Sequence, residues 1–361
     1  MRTVTNTIEV RGKKMTYTIK DVAKLANVAP STVSRVISNS PRISEKTKRK
    51  VRKVMDELNY HPNLNARSLA NRSTKSIGLV LPPALDASFQ NPFFAEVIRG
   101  VTAYSNQKEY SLYFITGKNE EEVEQTVNKT VRGRRVDGII LLYSKENDNI
   151  IDYLSEHNFP FVLVGKPYHY IEDITYVDND NYAAAREVTN YLIDQGHKRV
   201  AFVGGESSLL VTKNRLRGFQ DTMQLNGLTV NEEEIIFTSF TRDGGRKAVN
   251  QLLELTELPS AIVVTDDVLS LGIISVFQEH GITVPKDISI ISFNNAILAE
   301  LANPPLTSVD INIFQLGYEA AKNIISKIEE PDGSEKSIIV PYKLIVRDTC
   351  MKKEDLELVK S

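Results

Sequence analysis

From residue 77 to residue 293 short apolar runs alternate with amphipathic stretches, and that alternation leaves few folds open. The runs are IGLVLP (77–82), YSLYFITG (110–117), GIILLY (138–143), FVLVGK (161–166), VAFVGG (200–205), EEIIFT (233–238), AIVVTD (261–266) and ISIISF (288–293). Helical patterns occupy 92–106, 120–132, 147–158, 182–195, 210–225, 242–255 and 268–280. A run that is apolar on both faces suits a strand covered by helices on both sides, so the pattern predicts strand–helix–strand units and parallel sheets. There are too many strands for one comfortable sheet. The polar break HYIEDITYVDNDN (169–181) splits them into two similar doubly wound α/β subdomains, with a boundary near 175–180. Ligands of such sheets bind beyond the carboxyl ends of the strands, so a cleft between facing subdomains is the expected site.

Ahead of that region, residues 18–39 read TIKDVAKLANVAPSTVSRVISN. Ile19, Val22, Ala23, Leu25 and Ala26 form one apolar stripe at helical spacing, and Val28, Val33, Val36 and Ile37 form another. Between them Asn27-Val28-Ala29 leaves room only for a sharp corner. Pro30 opens the second helix, where its missing N–H costs no hydrogen bond. The outward positions of that helix are Ser31, Thr32, Ser34 and Arg35. Short side chains let a helix seat in a major groove, and one long cation can reach a base or a phosphate. Two amphipathic helices and a turn also occur in domains that never meet DNA, so spacing alone does not decide. Charge shifts the balance: residues 1–75 carry 17 Lys and Arg against 5 Asp and Glu, a net of +12, and the rest of the chain carries 27 against 41, a net of −14. A basic head on an acidic body is the footprint of a phosphate-binding module.

A third helix, SEKTKRKVRKVMDELNY (44–60), is predicted with Ser44 as its N-cap and Val51, Val54, Met55 and Leu58 buried. Its cations are Lys46, Lys48, Arg49, Lys50, Arg52 and Lys53, and some of these are expected to clamp phosphates. His61-Pro62 ends the helix. Residues 62–75 then read as a hinge whose NLNARSLA stretch (63–70) forms a short helix when held. The expected layout is a disordered extension (1–15), a head (16–61), the hinge, a core (76–348) and a charged tail (349–361).

Other patterns exclude whole classes. No apolar run approaches the roughly 18 residues of a membrane helix, and MRTVTNTIEVRGKKM lacks the apolar core of a secretory signal. The single cysteine, Cys350, excludes an internal disulfide and a cysteine-rich zinc site, and fits a reducing cytoplasm. There is no Gly-rich phosphate loop, no GxGxxG after a strand and no HExxH among the five histidines. Asp266 and Asp267 are neighbours on a loop, so their side chains diverge, and no nucleophile accompanies them. No catalytic residue, metal or cofactor is expected, and His197 in GHKR reads as structural.

The head, the hinge and IGLVLP together resemble the lac/gal repressor family of transcriptional regulators. GHKRVAFVGG (196–205), RLRGF (215–219), TDDVLSLG (265–272), ISIISFNN (288–295) and PPLTSVDIN (304–312) fit the same family, so the resemblance runs from residue 16 to about 348. The VGKP, NPFF and SFNN variants are most similar to maltose-operon repressors of Gram-positive bacteria. The resemblance implies an all-α helix-turn-helix head and a core of two doubly wound parallel-sheet subdomains, like that of periplasmic sugar-binding proteins, with a crossover near 304–312. It also implies a homodimer on pseudo-palindromic double-stranded operator DNA, controlled by a small sugar effector, with no membrane partner.

Position by position, the resemblance implies base reading by Pro30, Ser31 and Arg35, and phosphate or base-edge contacts by Thr18, Thr32, Ser34 and Asn39. In the hinge helix it implies contacts by Asn63, Arg67, Ser68 and Ala70. Leu69 falls where the family wedges a leucine into the minor groove, unstacking the central step at a cost on the order of a few kcal/mol. For the effector it implies Arg215, whose planar fork grips hydroxyls or a carboxylate. Asp266 and Asn294, each after a strand, would accept from paired hydroxyls. The lac repressor has Asn and Asp at these two positions, so the exchange here leaves the exact ligand open. Asn91, Phe93 and Phe94 follow the first core strand and offer aromatic faces to a sugar ring, and Tyr143 and Lys166 sit at strand ends. The expected function is a sequence-specific repressor of a sugar-utilisation operon controlled by maltose or a related maltodextrin. Two alternatives stay open: a catabolite-control regulator with a phosphorylated carrier protein as co-repressor, and a cytoplasmic sugar-binding protein with an incidental basic head.

Overall fold

The computed structural model describes residues 17–37, 39–60, 73–83, 90–169, 172–331, 333–334 and 336–352. The chain divides into two compact units after Thr74. In the first, α1 (Ile19–Leu25), α2 (Pro30–Ile37) and α3 (Glu45–Glu57) surround a core of Val22, Ala23, Ala26, Val33, Val36 and Val51. Val54, Met55 and Leu58 pack around it. Asn27 turns the corner between α1 and α2 at φ 50°, a left-handed position that asparagine tolerates. Ser44 caps α3 by accepting the Thr47 N–H. Leu25 leaves the predicted stripe and is 60% exposed. The buried face of α1 is centred among Val22, Ala23 and Ala26, and at about 100° per residue Leu25 points about 110° away from it.

The second unit is two lobes, each built on a six-stranded sheet. The first lobe carries β1 (Ser76–Val80), β2 (Ser111–Ile115), β3 (Gly138–Leu141), β4 (Phe161–Val164) and β5 (Tyr176–Asp178), linked through α4 (Pro92–Gln107), α5 (Glu120–Arg132) and α6 (Asn149–Glu156). The second lobe begins with α7 (Asn181–Asp194) and carries β6 (Val200–Gly204), β7 (Ile235–Phe237), β8 (Ala261–Val264), β9 (Ser289–Asn294) and β10 (Thr307–Asp310). Between these lie α8 (Leu210–Leu225), α9 (Arg242–Leu253), α10 (Asp267–Glu279) and α11 (Ile297–Leu301). The chain then returns: α12 (Ile313–Glu329) and β11 (Ser337–Ile339) complete the first lobe, and β12 (Lys343–Ile345) the second.

The strand orders are β11-β5-β4-β3-β1-β2 and β12-β10-β9-β8-β6-β7, and every pairing is parallel except β10 with β12. Parallel strands aim their carboxyl ends at one edge, and in both lobes that edge faces the other lobe. The segment read as a polar break holds β5, the last strand of the first sheet before the chain leaves it, and β11 later pairs along its outer edge. Crossings fall at 178–181, 310–313 and 339–343; the third, with α11 and α12, was not read from the sequence. A Cβ on Gly100 would strike the Phe314 carbonyl and one on Gly317 the Val97 carbonyl, so α4 and α12 press backbone to backbone.

Thr349 and Met351 are stitched into the second lobe. Thr349 Oγ1 accepts the Thr307 N–H and donates to the Ile290 carbonyl. The Met351 carbonyl lies 3.1 Å from Nε2 of His197, which is fully buried and bonded through Nδ1 to Ser260. His197 is thus a structural clamp on the C-terminal segment. Among the described residues no helix is long and apolar enough to cross a membrane.

Candidate functional site

In the head, Pro30, Ser31, Ser34 and Arg35 are exposed on α2 and Thr32 is half-buried. Ser31, Ser34 and Arg35 share the face opposite Val33 and Val36, as a reading helix requires, while Pro30 and Thr32 flank it. Thr18 is occupied locally: its N–H and Oγ donate to Asp21 Oδ2 at 2.8 and 2.7 Å. Those bonds, the backbone one foremost, hold the Asp21 carboxyl below its usual range. Asn39, left-handed at φ 52° just beyond α2, accepts from Arg52 Nη2 at 3.0 Å and so ties α2 to α3. Lys48 is buried with its Nζ 2.8 Å from Glu45. Of the six α3 cations, Arg52 therefore reaches another element and Lys48 is buried and paired within α3, while Lys46, Arg49, Lys50 and Lys53 are exposed. Asn63, Arg67, Ser68, Leu69 and Ala70 lie outside the described residues.

A cavity of about 260 Å³ lies between the two lobes of the core. Strand ends supply much of its wall: Leu142 to Lys145 after β3, Gly165 after β4, Asp178 and Asn179 at β5, Thr265 and Asp266 after β8, and Asn294 at β9. Of the eight effector positions read from the sequence, Asn91, Phe93, Phe94, Tyr143, Arg215, Asp266 and Asn294 all line it. Lys166 does not, and its side chain is exposed. The reason lies one residue earlier: Gly165, at φ 114°, turns its own backbone to the cavity. Lys166 contributes only main-chain bonds, its N–H to Asp178 Oδ2 and its carbonyl to Ser144 Oγ.

Arg215 is 3% exposed on α8 and sits 4.1 Å above the Phe293 ring. Its Nε donates to Asn181 Oδ1 at 2.8 Å and its Nη1 to the Thr265 carbonyl at 2.7 Å. Burial pulls the guanidinium down to about 10, against the pull of Asp178, Asp266 and Asp267. Burial pushes the Asp178 and Asp266 carboxyls up to about 6 each, opposed by hydrogen bonds to both and by the Arg215 charge. Asp267, behind the wall, accepts from Ser292 Oγ at 2.6 Å, Ser308 Oγ at 2.8 Å and the Ala296 N–H at 2.8 Å. Burial pushes it up to about 7. Tyr143, half-buried, is also raised by desolvation. Lys145 Nζ lies 2.7 Å from Glu120. Four carboxylates of the wall (Glu120, Asp178, Glu206 and Asp266) thus face two cations, Arg215 and Lys145, both engaged within the protein. Among the described residues no cluster of three or more His, Cys, Asp or Glu could hold a metal ion.

Sequence reasoning missed Asp178, Asn179, Asn181 and Phe240 on this wall. The first three follow a strand hidden in a segment read as a break; the carboxyl-end rule finds them once β5 is recognised. Phe240 follows the short β7, and its ring lies where a Cβ on Gly205 would be. No local pattern marks it. Aromatic faces beside fixed amides, carboxylates and a planar guanidinium suit an uncharged, hydroxyl-rich ligand.

Two family models match: bacterial regulatory proteins of the lacI family over residues 18–63, and the periplasmic binding protein-like domain over 189–350. The HTH-type transcriptional regulator MalR of Streptococcus pneumoniae is 40% identical over 92% of this chain and 99% of its own. The crystal structure of a transcriptional regulator LacI from Bacillus cereus subsp. cytotoxis superposes with TM-score 0.76 at 53% identity, covering 77% of this chain and 98% of that one. A transcriptional regulator CelR–cellobiose complex superposes with TM-score 0.73 at 29% identity, covering 92% and 100%. With matched heads as well as matched cores, a sugar-binding protein carrying an incidental basic head is set aside. The chain belongs to the lacI family of bacterial regulatory proteins and is a DNA-binding transcriptional repressor.

Proposed function

We propose that two copies of this chain bind a pseudo-palindromic operator, and that maltose or a short maltodextrin in the interlobe cavity sets their operator affinity. One observation carries the choice of ligand: the cavity wall combines four aromatic rings (Phe93, Phe94, Tyr143 and Phe240) with acceptors in excess, and its two cations are already engaged. A sugar phosphate would bring negative charge to a wall that already carries a surplus of it. An uncharged sugar stacks on the rings and shares its hydroxyls with Arg215, Asp178 and Asn294. The similarity to MalR and to a regulator bound to cellobiose supports a neutral oligosaccharide. Two heads supply what one eight-residue α2 lacks, contact with two half-sites. By linkage, a sugar that changes operator affinity by some factor has its own affinity changed by the same factor when operator is bound.

Thermal unfolding in a panel of maltose, maltotriose, cellobiose and sugar phosphates tests the reading, with Arg215→Ala run in parallel. Maltose at about 100 times its dissociation constant adds about 2.7 kcal/mol to the native state and raises the melting temperature of the wild type, and Arg215→Ala abolishes the rise. A shift by sugar phosphates alone would refute the neutral-sugar reading.

A further inference from the structure

We propose that Asn91 is an interlobe positioning residue: it fastens the start of α4 to the start of α10 and holds the lobes in the closed register that encloses the effector. The proposal rests on the effector reading above and changes the part that Asn91 plays in it. Asn91 is 5% exposed and is the N-cap of α4, its Oδ1 accepting the Phe93 N–H at 3.0 Å. That bond fixes which way the amide faces. Its Nδ2 then donates at 2.9 Å to Oδ2 of Asp266, 175 residues away in the other lobe. Asp266, 3% exposed, is in turn the N-cap of α10. Its Oδ1 accepts the Val268 N–H at 2.7 Å, and its Oδ2 also accepts from Asn294 Nδ2 at 2.8 Å. Three donors already occupy the carboxylate, two of them on Oδ2, which leaves a sugar hydroxyl at most one acceptor site, on Oδ1.

Donor and acceptor belong to separately packed blocks. The α4 side is pressed against α12, which lies on β3, β4 and β5; the α10 side packs against α9 and β9. The length of the Asn91–Asp266 bond therefore reports the angle between lobes. Asn294 lines both the cavity and a separate groove of about 740 Å³ bordered by Pro92, Glu96 and Asn295. Asn294, bonded to Asp266, is thus a wall shared by the two. Another interlobe link is made by main chain, from the Leu210 N–H to the Ser144 carbonyl at 3.0 Å and from the Glu146 N–H to the Ser208 carbonyl at 3.1 Å. With that link intact, loss of the Asn91 bond lets the lobes swing without parting.

Asp and Ser cap helices as well as Asn does, so Asn91→Asp and Asn91→Ser keep α4 capped. The first sets carboxylate against carboxylate, and the second is too short to reach Asp266. In the ligand-free full-length chain, small-angle scattering is expected to show a larger radius of gyration for both variants. Calorimetry is expected to show maltose affinity reduced about tenfold or more, with a smaller effect of maltose on operator affinity. Combining Asn91→Asp with Asp266→Asn reverses donor and acceptor, with the Asn294 amide turned to accept through Oδ1 where its Nδ2 now donates, and is expected to restore compact scattering. The proposal is overturned if both single variants scatter as the wild type does, or if the reciprocal pair rescues nothing. Scattering needs no ligand, so a wild type that binds no maltose would refute the effector reading and leave this test standing.

Discussion

Substituting Gly205 by alanine is a one-methyl test of how the cavity wall is built. An added Cβ would sit 2.8 Å from Phe240 Cδ2 and closer still to Cε2 and Cζ. Carbon atoms rest at about 3.5–4.0 Å, so the ring must retreat by about 1–2 Å. Gly205 has no left-handed φ to lose, so the whole effect is steric. Crowding of this kind costs about 1–3 kcal/mol, and at about 2–4 °C per kcal/mol for a domain of this size the melting temperature falls by about 2–12 °C. A ring displaced along the cavity wall also takes room from the ligand, which at about 1–3 kcal/mol weakens binding roughly ten- to hundredfold. The assay is a double-mutant cycle of Gly205→Ala and Phe240→Ala, read by thermal unfolding without ligand and by calorimetry with maltose. With the ring gone, the added methyl should cost almost nothing. If Gly205→Ala lowered the melting temperature equally in both backgrounds, or in neither, Phe240 would not be seated on Gly205 and the reasoning would fail.

Arg35→Ala is expected to erode discrimination among operator sequences, whereas Lys50→Ala, exposed on α3, weakens all sequences alike and lowers the salt slope by about one; base preference unchanged in Arg35→Ala would move the reading position elsewhere on α2. Burial raises Asp178 and Asp266 to about 6 and Asp267 to about 7, from 3.8. The folded core therefore takes up protons that the unfolded chain does not until lower pH, and these groups make stability rise as pH falls from about 8 to about 5. The melting temperature of the ligand-free protein should follow that slope and Asp267→Asn should flatten it; an unchanged slope in that variant would remove Asp267 from the account.

Much of the fold was legible because its determinants are local. The runs at 77–82, 138–143, 161–166 and 261–266 became strands because side chains apolar on both faces fit only a covered sheet. The helices read at 120–132 and 210–225 match α5 and α8 residue for residue. Leu25 misled because a stripe written by spacing says nothing of where the neighbouring helix lies. Lys166 misled because proximity to a strand end does not set side-chain direction, and the turn at Gly165 does. β5, three residues inside a polar segment, gave no periodicity to detect, and with it Asp178 and Asn179 were lost from the predicted wall.

By itself the sequence determined the type and order of most core elements, the basic head and seven residues of the cavity wall, since periodicity, caps and charge act over a few neighbouring positions. Only the tertiary structure decided what those residues do there. The carboxylate of Asp266, legible as an acceptor after a strand, is already engaged by Asn91, Asn294 and the Val268 N–H. Phe240 rests where a side chain at Gly205 is missing, and Arg52 and Lys48 serve the head's own packing. These partners lie up to 175 residues apart, and no pattern along a chain records which distant groups will occupy a side chain's hydrogen-bonding sites.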